Sequence, residues 1–146
     1  MVKFVIAGHG RFPSGVLSEI EMIFGPQVGI ETVELADGET KTELEAKFDT
    51  ALSRYADAEG ILVFCDMLQG SPFQAAAIRA QADSRIRVVF GANIPMVLEC
   101  VSRSMSGRSL DVEELARTAV ETGLAHIGLF EPGAFDDEAS DEEEDW

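Results

Sequence analysis

Apolar and polar positions alternate along the chain in two patterns. Short, almost wholly apolar runs at 2–7 (VKFVIA) and 60–65 (GILVFC) are what a strand buried on both faces requires. A third run, 86–90 (IRVVF), is closed by Gly91. The segment 28–35 (VGIETVEL) alternates imperfectly through Val28, Ile30, Val33 and Leu35 and predicts one more strand. Between these runs apolar residues return every three or four positions. Val16, Leu17, Ile20, Ile23 and Phe24 predict a helix after Pro13-Ser14-Gly15, stopped by Gly25-Pro26. Leu44, Phe48, Ala51, Leu52 and Tyr55 predict a helix over 40–57 with Glu and Lys on its other face. Ser71-Pro72 opens the next helix, with Ser71 at the N-cap and Pro72 at the first helical position. Ile94-Pro95 begins another, broken at Ser106-Gly107. Leu110-Asp111 starts the last, which leads toward a short strand at 126–130. The order β-α-β-α-β-α-β-α-α(-β) predicts an α/β fold, doubly wound, with a mainly parallel sheet and helices on both faces.

Length and charge refine this picture. The 146 residues suit one domain, 1–130, followed by a tail at 131–146. With 46% hydrophobic residues, such a domain buries a core without disulfides or metals. No apolar run is long enough to span a bilayer, and no secretory signal precedes the first strand. Cys65 and Cys100 each sit inside an apolar segment and read as reduced packing residues of a cytoplasmic protein. The net charge of −16 is unevenly spread. Nine of the 27 acidic residues, and no basic one, lie in the tail, leaving 18 acidic against 11 basic, a net of −7, in the domain. An acidic domain argues against nucleic-acid binding. The tail is expected to be disordered and solubilising.

In an open parallel sheet, ligand groups gather at the carboxyl ends of the strands. Three ends carry candidate chemistry: Gly8-His9-Gly10, then Asp66 with Gln69-Gly70-Ser71-Pro72, then Gly91-Ala92-Asn93. His9, between two glycines, can serve as base, ligand or nucleophile, or be a loop histidine without a role. Asp66 is free for a partner if Ser71 caps the helix. A carboxylate on one ring nitrogen would fix the tautomer and leave the other nitrogen to attack. Ser71, with Gly70 before it, and Ser14 stand near helix starts, where phosphate binds through unpaired N–H groups. The plainer reading of Ser71 is a simple cap. His126 reads as structural or interfacial. Met67 and Leu68 are a docking patch if exposed and ordinary core if buried.

GHG after the first strand, FCDMLQGSPFQAA at 64–76 and GANIPMVLE at 91–99 resemble the mannose-family IIA component of the bacterial phosphoenolpyruvate-dependent sugar phosphotransferase system. The likeness runs in order over about residues 2–130. The resemblance implies that His9 accepts a phosphoryl group from the phosphocarrier HPr. It passes the group to a IIB partner, which serves the membrane components IIC and IID. It implies that Asp66 bonds the non-attacking ring nitrogen, that Ser71 lies beside the phosphoryl group, and that no cofactor or metal is needed. It also implies a homodimer with strand order 2-1-3-4 and a fifth, antiparallel strand exchanged between subunits. Where some relatives have an aromatic residue after the aspartate, this chain has Met67-Leu68-Gln69. A close alternative is the phosphotransferase subunit of phosphoenolpyruvate-dependent dihydroxyacetone kinase; GSPF and NIPM favour the sugar system. A histidine phosphatase needs arginines around the phosphate and a second histidine, and the residue before His9 is Gly8. A receiver domain phosphorylated on Asp66 needs acidic residues after the first strand, where Gly8-His9-Gly10 stands.

Overall fold

The computed structural model describes residues 1–27 and 29–133. Its elements are β1 (Val2–His9), α1 (Phe12–Phe24), β2 (Ile30–Leu35), α2 (Lys41–Ser53), β3 (Gly60–Cys65), α3 (Ser71–Ala82), β4 (Ile86–Val89), α4 (Ile94–Met105) and α5 (Val112–Ala125). The strands form one parallel sheet in the order β2-β1-β3-β4. Central β3 is apolar and buried throughout, and β1 is so from Phe4 to Ala7, because both of their faces are covered there. Phe4 and Ile6 of β1 point to a core shared with Val16 and Ile20 of α1, Val97 and Val101 of α4, and Leu115 of α5. Val5 and Ala7, one residue out of phase, join Leu44 and Phe48 of α2 and Ala75 and Ala76 of α3 on the other face.

Several boundaries differ from the sequence pattern, each for a local reason. Gly70, with φ 112°, is the N-cap of α3; Ser71 is already its first helical residue and makes no side-chain cap bond. Proline fits either of the first two positions of a helix, so Pro72 does not choose between these registers. The helix α2 stops at Ser53 instead of 57. The Arg85 guanidinium there bonds the carbonyls of Tyr55, Ala56 and Ala58 at 3.1, 2.9 and 2.9 Å, which satisfies backbone that has left the helix. Phe90 falls outside β4 and packs edge-on against Phe73 at 5.7 Å. The expected strand at 126–130 does not form in this chain: α5 ends with His126 as its C-cap, and Ile127, Leu129 and Phe130 are exposed. An exchanged strand would find its ladder partners in a second copy, not in its own sheet. Val28, the expected start of β2, lies outside the described residues, as does the acidic tail beyond Gly133.

Candidate functional site

Parallel pairing decides which residues meet at the carboxyl edge. Ala7 of β1 stands opposite Cys65 of β3. The next residues onward therefore emerge side by side, and the Asp66 N–H still donates to the Ala7 carbonyl at 3.2 Å. From there the Asp66 carboxylate reaches His9. Its Oδ2 lies 2.8 Å from His9 Nδ1 and accepts the His9 backbone N–H at 2.9 Å. Its Oδ1 accepts the Met67 N–H at 2.9 Å. Three donors thus hold one carboxylate in place. An ionised carboxylate only accepts hydrogen bonds, so the ring proton sits on Nδ1 and the Nε2 lone pair is left for chemistry. The His9 side chain is 44% exposed and that of Asp66 15%, so the carboxylate is sheltered while the ring meets solvent.

Two glycines make this contact sterically feasible. A Cβ on Gly8 would come within 2.9 Å of Asp66 Cγ and 3.0 Å of Phe12 Cδ1. A Cβ on Gly70 would come within 2.8 Å of His9 Cε1 and 2.9 Å of Nε2. Gly10 supplies the turn after His9 with φ 56°, and its N–H bonds the Leu35 carbonyl at 2.9 Å. Glycine near His9 was legible as a turn signal. The approach of Gly8 to Asp66, and of Gly70 to a ring 61 positions away, had no signal in the chain.

The two helix starts differ. At α1, the Ser14 N–H donates to Glu34 Oε2 at 3.0 Å, and the Ser14 hydroxyl to the Arg11 carbonyl at 3.3 Å. A carboxylate from the end of β2 therefore already occupies the place where an anion would bind. Sequence patterning had not singled out Glu34. At α3, the Ser71 N–H and hydroxyl have no protein partner among the described residues. Met67 and Leu68 are about half exposed, which removes the core alternative for them. Asn93 is structural: Oδ1 caps α4 through the Met96 N–H at 3.2 Å, and Nδ2 donates to the Gly123 carbonyl at 3.0 Å. His126 Nδ1 lies 2.8 Å from the Thr122 carbonyl, at the end of α5.

The cysteines stand apart from this chemistry. Burial is the main force pushing both thiols up, from 9.0 to about 12. The nearby negative charges of Asp66 and Glu99 add to it, at Cys65 and Cys100 respectively. At pH 8 such a thiol is about one part in ten thousand thiolate. Iodoacetamide should leave both unmodified in the folded protein and alkylate both after denaturation; rapid native alkylation would contradict their burial. The thiol is also the form the fold prefers. The stability this lends is complete below pH 9 and is lost as pH rises toward 12.

An open parallel sheet that ends in a solvent-facing imidazole, with Nδ1 tied to a carboxylate, is a framework for nucleophilic chemistry at Nε2. Residues 3–120 match the family model described as the PTS system fructose IIA component, EIIA-man. The chain belongs to this family, the mannose-type IIA components of the phosphotransferase system. It is 32% identical over 102 residues to the fructose-specific EIIA component of Bacillus subtilis, covering 70% of each chain. It is 32% identical over 122 residues to the mannose-specific EIIAB component of Escherichia coli, covering 84% of this chain and 37% of that longer protein. In structure it is similar to the phosphotransferase component EIIA of Streptococcus agalactiae. The TM-score is 0.75 at 30% identity, with 88% and 96% of the two chains covered. The mannose/sorbose-specific IIA subunit of Enterococcus faecalis shares the fold, with a TM-score of 0.80 at 22% identity and coverage of 92% and 98%.

Proposed function

We propose that this chain is a phosphoryl carrier of sugar uptake in the cytoplasm, taking the group from phospho-HPr on His9 and passing it to a IIB partner. The observation that carries the reading is the tether of Nδ1 to Asp66 beside an exposed ring, in a chain of the IIA family. In the forward step the Nε2 lone pair attacks phosphorus as the P–N bond to the donor histidine breaks. The Nδ1 proton stays where it is. The ring becomes cationic, and the sheltered Asp66 carboxylate stabilises that charge. In the second step the P–N bond to His9 breaks, the acceptor on IIB takes the group, and His9 returns to neutral. Little covalent chemistry is asked of the surroundings; position and charge supply most of the catalysis.

Ser71, through its unpartnered N–H and hydroxyl, is the group proposed to meet the phosphoryl oxygens, with Gly70 beside it. Ser14 joins them only if Glu34 releases its N–H. Met67 and Leu68 form the proposed docking patch for HPr and IIB. A homodimer is supported by Phe90, just after the edge strand β4, and by Val120, Leu124, Ile127 and Leu129 of α5 and its extension, all exposed apolar residues. IIC and IID enter this reading as partners served through IIB. Among the described residues no helix is long and apolar enough to cross a membrane.

The test is reconstitution with enzyme I, HPr and labelled phosphoenolpyruvate, followed by mapping of the modified peptide. The expected product is one acid-labile, base-stable phosphate on the peptide containing His9. An acid-stable label, or a label on another peptide, refutes the assignment.

A further inference from the structure

The His9 ring is bounded on two sides. On one, Nδ1 is held 2.8 Å from Asp66 Oδ2. On the other, the Cα of Gly70 lies so close that a Cβ built there would sit 2.8 Å from Cε1 and 2.9 Å from Nε2. Real Cβ atoms essentially never approach a neighbour that closely, so a methyl group at position 70 would force movement. The neighbour is an imidazole with a short side chain, and its escape is limited by Asp66. The Gly70 backbone has little freedom either: its φ of 112° is outside the range open to residues with a side chain. Immediately after it, the first turn of α3 begins, and the Gln74 N–H is bonded to the Gly70 carbonyl at 3.1 Å.

We infer that Gly70 is a positioning residue for His9: its missing side chain lets the α3 start lie against the Nε2 edge of the ring while Nδ1 stays on Asp66. Gly70 makes no bond in the reaction. It acts through the ring, by allowing one orientation in which the tether and an open Nε2 coexist. Its effect on phosphoryl transfer rests on the carrier reading of His9; its contact with the ring does not.

Gly70→Ala therefore moves the ring off Asp66. Label incorporation from phospho-HPr should fall by about 100-fold or more, the usual result of displacing a reacting atom by about an ångström. The folded variant should also lose the Nδ1–H tautomer as the dominant form in ¹⁵N spectra of the His9 ring, which a simple loss of stability would not alter. Gly107→Ala is the control. Gly107 also has positive φ, 76°, with nothing within 4 Å of a built Cβ, so its substitution strains the backbone without touching a ring. It should lower Tm and leave labelling unchanged.

A thermal cycle decides the matter even if Gly70→Ala is poorly folded. In a His9→Ala background the ring is gone and the methyl group has room. The Tm penalty of Gly70→Ala should then shrink by on the order of 3 °C or more. An equal penalty in both backgrounds, including loss of folding in both, overturns the inference. So does wild-type labelling or an unchanged tautomer in Gly70→Ala. If the unmutated chain takes no label, the carrier reading fails, while the cycle and the tautomer still decide on Gly70.

Discussion

His9→Gln is expected to take no phosphate from phospho-HPr, a loss of at least about 1000-fold, because the glutamine amide offers no nucleophilic lone pair in place of Nε2. The fold should survive. The His9 side chain is 44% exposed, and the bond from its backbone N–H to Asp66 at 2.9 Å does not depend on the ring. The ring belongs to neither apolar core, so its loss opens no cavity there. The measurement is acid-labile label per chain after a fixed time with enzyme I, HPr and phosphoenolpyruvate, beside a thermal melt. A folded variant that labels at the normal rate would move the carrier role to another residue. An unfolded variant would instead show that the ring is part of the fold, which its exposure argues against.

Asp66→Asn is expected to keep the fold and slow phosphorylation by on the order of 100-fold or more. The carboxylate performs two tasks. It accepts three hydrogen bonds at once, from His9 Nδ1, the His9 N–H and the Met67 N–H. It also carries the negative charge that meets a cationic ring. An amide keeps one accepting oxygen and loses the charge, and its NH₂ favours the ring tautomer with the proton on Nε2, the wrong nitrogen for attack. Loss of tautomer control in an Asp–His pair costs up to about 10⁴-fold in a well-studied hydrolase. Here the one remaining amide oxygen can still accept the Met67 N–H and so place the side chain, and a smaller loss is expected. Single-turnover transfer from phospho-HPr measures it, and ¹⁵N spectra of the ring report the tautomer separately. Wild-type rates in Asp66→Asn would remove the carboxylate from the mechanism and leave it a backbone acceptor.

The two variants separate nucleophile from support: one removes the atom that bonds phosphorus, the other leaves that atom and disturbs its preparation. Combining Asp66→Asn with Gly70→Ala should cost less than the product of the two effects, since both act on the orientation of one ring.

Much of the fold was legible because its requirements are local. A strand covered on both faces must be apolar nearly throughout, so VKFVIA, polar only at Lys3, and GILVFC mark β1 and β3. Amphipathic spacing marks the helices within a few residues, and the misses fall at their ends. There Arg85 collects three carbonyls from across a loop, and Gly70 takes the cap from Ser71. His9 and Asp66 were candidates because each follows an apolar run directly, and chains reverse at strand ends.

The family resemblance implied that those two residues touch and that the strand order is 2-1-3-4, as the structure has it; the pattern of residues did not. Their meeting requires β1 and β3 to be neighbours in a register that sets Ala7 opposite Cys65, with β2 displaced to the edge. Periodicity in either strand is the same whichever neighbour it has, so adjacency is a property of the packed sheet. The same holds for Glu34 on the Ser14 N–H and for the exposure of Met67 and Leu68. The chain alone determined which segments are buried and which chemical groups stand at their ends, since burial acts residue by residue. Only the tertiary structure decided which of those groups lie within bonding distance and how much room the ring has, because both depend on atoms brought together from distant parts of the chain.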